Sequence, residues 1–172
     1  MSISMYQVSM PVFTHALGAL AKVLAKGEAN IVERKIEPAV IMSGRLAPDM
    51  LSFTRQILIA CDGPKNGMAR ISGVEAPKFE DNEATIPELK ARIQKTLDYL
   101  NSVPAEKVDG TEDKDITFPI GRDKTRTMKA EAYLKHWVLP NFYFHITMAY
   151  AILRHNGVEL GKADYLAGAA RA

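Results

Sequence analysis

One cysteine, Cys61, in 172 residues excludes an intramolecular disulfide. No basic N-terminal stretch leads into an apolar signal core, so a cytoplasmic protein is expected. Long hydrophobic runs are lacking too. The longest apolar tract, 140–157, is interrupted by Asn141, His145, Thr147 and Arg154, which excludes a membrane span there. Charge of one sign is also missing: 22 basic and 20 acidic residues are mixed along the chain for a net charge of +2. No run of Lys or Arg is long enough to track a phosphate backbone, which argues against nucleic acid. There is no glycine-flanked serine and no Ser/His/Asp order for acyl transfer. The segment Gly63-Pro-Lys-Asn-Gly67 lacks the spacing of a phosphate loop. Internal repeats and low-complexity tracts are absent. What is there, 47% hydrophobic and 24% charged residues, is ordinary globular composition, of a length that suits one domain over 1–172.

Hydrophobic periodicity organises the chain into helices. Val12, Phe13, Ala16, Leu17, Leu20, Val23 and Leu24 recur at helical spacing and predict a first helix from about Met5 to Lys26, with Gly27 just beyond its basic last turn. Glu28 to Ser43 reads as loop with one short helical piece around Ile31–Arg34, limited by Pro38. A second helix is expected from Pro48 to Ser72-Gly73 on the stripe Met50, Phe53, Ile57, Cys61, Met68 and Ile71. Pro64 removes the amide that would bond the Ala60 carbonyl, so a kink or break is expected near Asp62, which could cap the second half. The third helix has the clearest start, a capping box of Thr85 and Glu88 with Pro87 in the first turn. Ile86, Leu89, Ile93, Leu97 and Leu100 follow as its buried stripe, and Pro104 ends it. Ile116–Ile120 and Thr125–Met128 flank a turn at Gly121-Arg122-Asp123 and suit a small edge hairpin. A short helical segment near Ala130–Val138 leads into a fourth helix, and the tail 158–172 should dock through its first half and fray at its end.

The fourth helix, Pro140 to Gly157, carries the most information. Tyr143, Thr147, Tyr150 and Arg154 share a narrow arc; Phe142, Phe144, Ile146, Met148, Ala149, Ala151, Ile152 and Leu153 fill the rest, with Asn141, His145 and His155 among them. An imidazole buried in such company must be hydrogen-bonded, since leaving it unpaired costs about 1–3 kcal/mol. Asp62, Asn141 or a helix carbonyl are the partners expected for His145. The other histidines have structural readings: His15 shares a solvated arc with Lys22 and Lys26, His136 sits where the bundle closes, and His155 complements the last turn of its helix. Cys61, on an apolar stripe, reads as a buried thiol. It becomes chemically interesting only if it faces the same cavity as His145. Tyr150 and the neighbouring aromatics could line a ligand pocket or face a second subunit, and an all-round apolar fourth helix suggests a homodimer through it or the third. Four long amphipathic helices with one polar insertion make an all-α bundle.

Arg45-Leu-Ala-Pro-Asp-Met50, Gln56-Ile-Leu-Ile-Ala-Cys-Asp62, Phe79-Glu-Asp81 with Glu83 and Thr85, Pro140-Asn-Phe142 with Phe144-His145, and Ile152–Gly157 through Lys162–Leu166 are spread over nearly the whole chain. In these stretches the sequence resembles the DinB/YfiT-like helical bundle superfamily, in an uncharacterised branch known as a domain of unknown function. The resemblance implies an up-down-down-up four-helix bundle. Many members hold nickel or zinc with one histidine on the second helix and two at i and i+4 on the fourth, and some use the metal for thiol transfer. In this chain His145 falls at the second paired position, Asn141 at the first, and the second helix offers Gln56, Cys61 and Asp62 but no histidine.

Three functional expectations follow. The first is a ligand-binding or structural bundle without a firm metal site, its small polar cavity built from His145, Asn141, Asp62, Cys61 and Tyr150. The second is a degenerate enzyme in which His145 holds a nickel or zinc ion with Asp62 or Cys61, for thiol transfer or hydrolysis-like chemistry. The third is a protein-interaction module presenting exposed aromatics.

Overall fold

The computed structural model describes residues 3–167. Four long helices form the bundle: α1 (Met5–Glu33), α3 (Phe53–Ser72), α4 (Ile86–Ser102) and α6 (Leu139–His155). They pack in the ring order α1, α4, α3, α6, so α1 and α3 lie on a diagonal, bridged by the short α2 (Pro38–Met42). This is the up-down-down-up arrangement. One continuous apolar core runs through it, from Phe13, Leu17 and Leu20 on α1 to Ile57 on α3, Leu89 on α4, and Phe142 and Ile152 on α6.

The first helix is longer than its sequence suggests. Gly27 does not end α1, which continues to Glu33 beneath a Ser4–Gln7 capping box at its start. The reason is packing: a Cβ at Gly27 would stand 3.1 Å from Leu153 Cδ2, so the glycine lets α6 approach rather than terminating a helix. By length and apolarity α1 would suffice to cross a membrane, but half of its most apolar stretch is buried in the bundle, as in a core helix of a globular fold. Likewise Pro38 begins α2, as proline suits a first turn, instead of merely limiting it.

The expected break near Asp62 does not occur. α3 starts at Phe53, capped by Ser52 rather than at Pro48, and runs unbroken through Pro64 to Gly73, whose φ of 75° gives the left-handed cap. Gly63 eases the continuity, because part of the clash that pushes a residue before proline out of the helical region is with its Cβ, and glycine has none. Asp62 is therefore mid-helix and caps nothing.

α4 has the predicted capping box, with the Glu88 carboxylate accepting from the Thr85 backbone N–H at 2.9 Å. A turn of 3₁₀ helix, Ala105–Lys107, precedes the hairpin of β1 (Asp115–Pro119) and β2 (Thr125–Lys129), paired antiparallel with Thr117 opposite Thr127. Its one buried face, Ile116 and Phe118, rests on the segment that follows: the Phe118 ring lies 4.5 Å from Tyr133 and 5.0 Å from Trp137. That segment is α5 (Ala130–Tyr133) running into a π-helical turn, Leu134–Val138, and then directly into α6. α7 (Lys162–Leu166) docks on α1 through Lys26–Asp164 at 2.6 Å and on α6 through Tyr165, as expected for the first half of the tail. The expected fraying at 168–172 lies outside the described residues.

Candidate functional site

The seam between α3 and α6 is antiparallel, and three pairings set its register. Gln56 meets His145, Gly67 meets Val138 and Arg70 meets Tyr133. At the first, His145 is buried, 7% exposed, and its Nδ1–H donates to Gln56 Oε1 at 2.7 Å. The tautomer follows from the amide: Gln56 Nε2 donates to the Leu51 carbonyl at 3.2 Å, which leaves Oε1 toward the ring. Burial holds the imidazole below its ordinary pKa, so it stays neutral. Phe144 meets it edge-on at 5.3 Å.

One to three turns further along the seam the helices part. A cleft of about 180 Å³ opens there, with Asp62, Asn66 and Arg70 on one wall and Tyr133, Trp137 and Asn141 on the other. Both rows run i, i+4, i+8, which is how two facing helices each present one file of side chains. Two features of the backbone shape the gap. A Cβ at Gly63 would meet nothing within 4 Å, so the wall is open at that point, whereas one at Gly67 would stand 2.8 Å from Val138 Cγ1, so the helices pinch together there. The π-helical turn, a form often found at functional sites, sets the phase of Tyr133 and Trp137 before α6 begins at Leu139-Pro140. The hairpin braces this wall from behind, and Lys114 Nζ donates to the Arg70 and Ile71 carbonyls at 2.9 and 3.0 Å. Arg70 Nη1 donates to the Tyr133 hydroxyl at 3.0 Å. Burial raises the Tyr133 pKa against the opposing charge of Arg70, so the phenol stays protonated.

Asp62 belongs to this cleft and to a second constellation behind it. Its Oδ1 lies 3.0 Å from Lys65 Nζ and 2.9 Å from Arg92 Nη2, close ion contacts that are not aligned as hydrogen bonds. Arg92, 2% exposed, also reaches Asp81 at 2.8 Å and Glu83 at 2.9 Å. Phe79 lies against both cations, 4.1 Å from Lys65 Nζ and 4.4 Å from the Arg92 guanidinium carbon. For Asp81, burial raises the pKa, but the Arg92 hydrogen bond and the Arg92 and Arg55 charges prevail and leave it below the usual carboxylate value.

The five residues singled out in the sequence thus land in four places. Asp62 and Asn141 share the cleft. His145 points inward as expected but is paired with Gln56, and it is not on the cleft. Cys61, fully buried, turns toward α4: burial pushes its thiol up to about 12, against a lowering hydrogen bond with Thr96. Tyr150 stands apart, its hydroxyl donating to the Leu160 carbonyl at 3.4 Å and its ring packed edge-on against Tyr165. A single cluster of all five is therefore not formed, because less than two turns of α3 carry Gln56, Cys61 and Asp62 to different neighbours. Trp137 is one of the aromatics expected to line a pocket or face a second subunit, but Asn66, Arg70 and Tyr133 were not singled out, although Asn66 and Arg70 follow Asp62 at helical spacing. Arg92 was missed too; its position between Leu89 and Thr96 on the buried stripe of α4 was the available signal.

The donor set does not fit a nickel or zinc ion. Among the described residues no group of three or more His, Cys, Asp or Glu side chains converges on one point. Gln56 holds the Nδ1–H of His145 and leaves Nε2 as its one possible ligand atom, while Asp62 is claimed by two cations and the Cys61 thiol is protonated. On α6 Phe144, 51% exposed, and Tyr143 leave an aromatic edge uncovered; Tyr143 lies on the narrow arc expected to face outward, and Phe144 on the apolar arc expected to be covered.

The fold has a solved counterpart. The crystal structure of a DinB family member protein from Shewanella denitrificans superposes with a TM-score of 0.88 at 37% identity, covering 97% of this chain and 94% of that one. A search of curated proteins gives no match. Residues 5–166 match the family described as "Domain of unknown function (DUF1993)", and the chain belongs to that family, a DinB-like branch of the helical bundles.

Proposed function

We propose that the protein binds a small polar molecule in the cleft between α3 and the π-helical turn that enters α6. The observation that carries this is the pair of facing files, Asp62, Asn66 and Arg70 against Tyr133, Trp137 and Asn141. They bring a carboxylate, a guanidinium, two amides and an indole around one space. Such a mixture of a few directed polar groups on a rigid, partly apolar frame is what small-molecule sites use for orientation. The volume, about 180 Å³, is below the roughly 300–1,000 Å³ of pockets for drug-sized ligands, so only a small metabolite fits. Binding is favoured over catalysis because the only carboxylate on the cleft, Asp62, is already held by Lys65 and Arg92, and the one buried histidine faces Gln56 instead.

Asn66 supplies the test, since its side chain makes no hydrogen bond among the described residues and can be enlarged without unpairing a partner. A metabolite screen followed by thermal melting should find compounds that raise the melting temperature of the wild-type protein and not of Asn66→Phe, in which the ring fills the cleft. Hits that stabilise both proteins equally would overturn the proposal.

A further inference from the structure

We infer that the ligand of this cleft is a small zwitterion, a primary ammonium and a carboxylate joined by a short chain, as in a free amino acid. The inference rests on the cleft being the binding site and adds the chemical class that its two ends select.

At one end stands Arg70. One guanidinium nitrogen, Nη1, is fixed on the Tyr133 hydroxyl at 3.0 Å, and the structure gives the remaining N–H donors no partner among the described residues. An arginine oriented through one nitrogen presents a planar fork suited to a carboxylate, with the side-chain entropy already spent. At the other end stands Asp62. Its Oδ1 is buried between Lys65 and Arg92, its Oδ2 has no partner among the described residues, and the side chain is 28% exposed. A carboxylate accepts and cannot donate, so what it adds to the cleft is an acceptor for an ammonium or another strong donor. The two cations behind it do not cancel that preference, because Lys65 and Arg92 face three carboxylates, Asp62, Asp81 and Glu83, and Arg55 reaches only the rim at Asp81, 3.5 Å away.

The spacing agrees with this polarity. Positions 62 and 70 are two turns apart on α3, about 12 Å along its axis. The long arginine side chain, tilted as helix side chains are toward the helix N-terminus, takes up part of that distance, and a short amino acid with a charge-assisted hydrogen bond of about 2.8 Å at each end takes up the rest. Asn66 and Trp137 face each other across the middle, the indole a flat apolar wall for the chain between the two ends, and Asn141 stands opposite Asp62, where its amide oxygen can join in accepting from the ammonium. A ligand with only an anion would leave Asp62 Oδ2 without a donor, and one with only a cation would leave the Arg70 fork without an acceptor.

Calorimetric titration separates the possibilities. The probes are free glycine, L-alanine, L-leucine and γ-aminobutyrate, each beside its N-acetyl form and its carboxamide, together with the neutral hits of the metabolite screen. At least one free zwitterion should bind, and blocking either end should weaken it tenfold or more. In Arg70→Met the free acid and its carboxamide should bind alike, while the N-acetyl form stays weak, a loss of discrimination that general destabilisation would not produce. Asn66→Phe should abolish binding. Blocked forms that bind as well as the free ones, or neutral compounds that alone bind and do so only when Asn66 is intact, would overturn the zwitterion while leaving the cleft as the site. Binding of nothing in a manner that depends on Asn66 would overturn both.

Discussion

Asp62 Oδ1 is shared between Arg92 and Lys65, cations that come to it from α4 and from its own helix, at 2.9 and 3.0 Å. Through Arg92 the same carboxylate is tied to Asp81 and Glu83, so the irregular segment between α3 and α4 is fastened against the bundle by one buried guanidinium. Lys65 adds a bond to the Pro77 carbonyl at 3.1 Å, and Tyr99 one to the Val74 carbonyl at 2.9 Å. Asp81 takes a left-handed backbone, φ 56°, within this arrangement, a conformation that aspartate adopts more readily than most residues. The cleft thus receives its carboxylate already oriented from behind.

Removing the guanidinium should be costly. In Arg92→Met three carboxylates lose their shared partner in a largely buried setting, and breaking a buried ionic cluster from one side typically costs about 3–5 kcal/mol. Urea unfolding should show that loss. Glu83→Gln, which keeps Asp62 and Asp81 paired to Arg92, should cost distinctly less. Equal, small effects from both would mean that the cluster is a solvated surface feature.

The His145–Gln56 bond predicts a pH dependence of stability. Burial depresses the folded pKa of His145 below the ordinary 6.5. Above the ordinary value both folded and unfolded chains hold it neutral. As pH falls below it the unfolded chain takes up a proton that the folded one resists, so stability declines until the depressed folded pKa is passed. Asp81, also depressed, adds its loss only at lower pH, beneath the usual carboxylate value of 3.8. His145→Ala alone should lower stability by about 1–3 kcal/mol through the unpaired Gln56 oxygen, while His145→Leu with Gln56→Leu should be closer to neutral. Melting temperatures between about pH 7.5 and pH 5 should slope in the wild type and lie flatter in the double variant. Parallel slopes would show that His145 is not the group responsible.

Helix positions were legible in the sequence wherever a strong local signal met no tertiary competitor. Thr85, Pro87 and Glu88 mark the start of α4 because a capping box acts within four residues. Gly27 and Pro64 misled because their consequences are decided elsewhere: by Leu153 on α6 in one case, and by the absence of a Cβ on Gly63 in the other. Within the site, periodicity placed His145 inside correctly. It could not say which polar residue of α3 would face it, since Gln56, Cys61 and Asp62 span less than two turns and point to α6, α4 and the cleft in turn. Arg92 was hidden for a related reason. Charge on an otherwise apolar stripe is decipherable only once Asp62, Asp81 and Glu83, up to thirty residues away, are known to gather round it.

Gly67 and Val138 form a contact whose cost can be measured. A Cβ at position 67 would lie 2.8 Å from Val138 Cγ1 and 3.0 Å from Cγ2, and a β-branched side chain cannot turn aside. Gly67→Ala should therefore destabilise by about 1–3 kcal/mol despite the better helix propensity of alanine, because overpacking outweighs a gain of about 1 kcal/mol. Combined with Val138→Ala the penalty should shrink below the sum of the two single effects. Additive costs in a double-mutant cycle would show that the π-helical turn yields without resistance.

Cys61 distinguishes thiol chemistry from a filled core. Desolvation pushes its thiol up to about 12, the Thr96 hydrogen bond and the Arg92 charge notwithstanding, so at neutral pH almost none of it is thiolate, and the side chain is inaccessible. The thiolate is the reactive species, so native protein should resist iodoacetamide at about pH 8, well below that pKa. Labelling should appear only with unfolding, and in the limit where reclosing is fast its rate should track the global stability, accelerating in Arg92→Met in proportion to the loss measured in urea. Rapid modification of the folded wild-type protein would place Cys61 in an open, electropositive pocket and return thiol transfer to consideration.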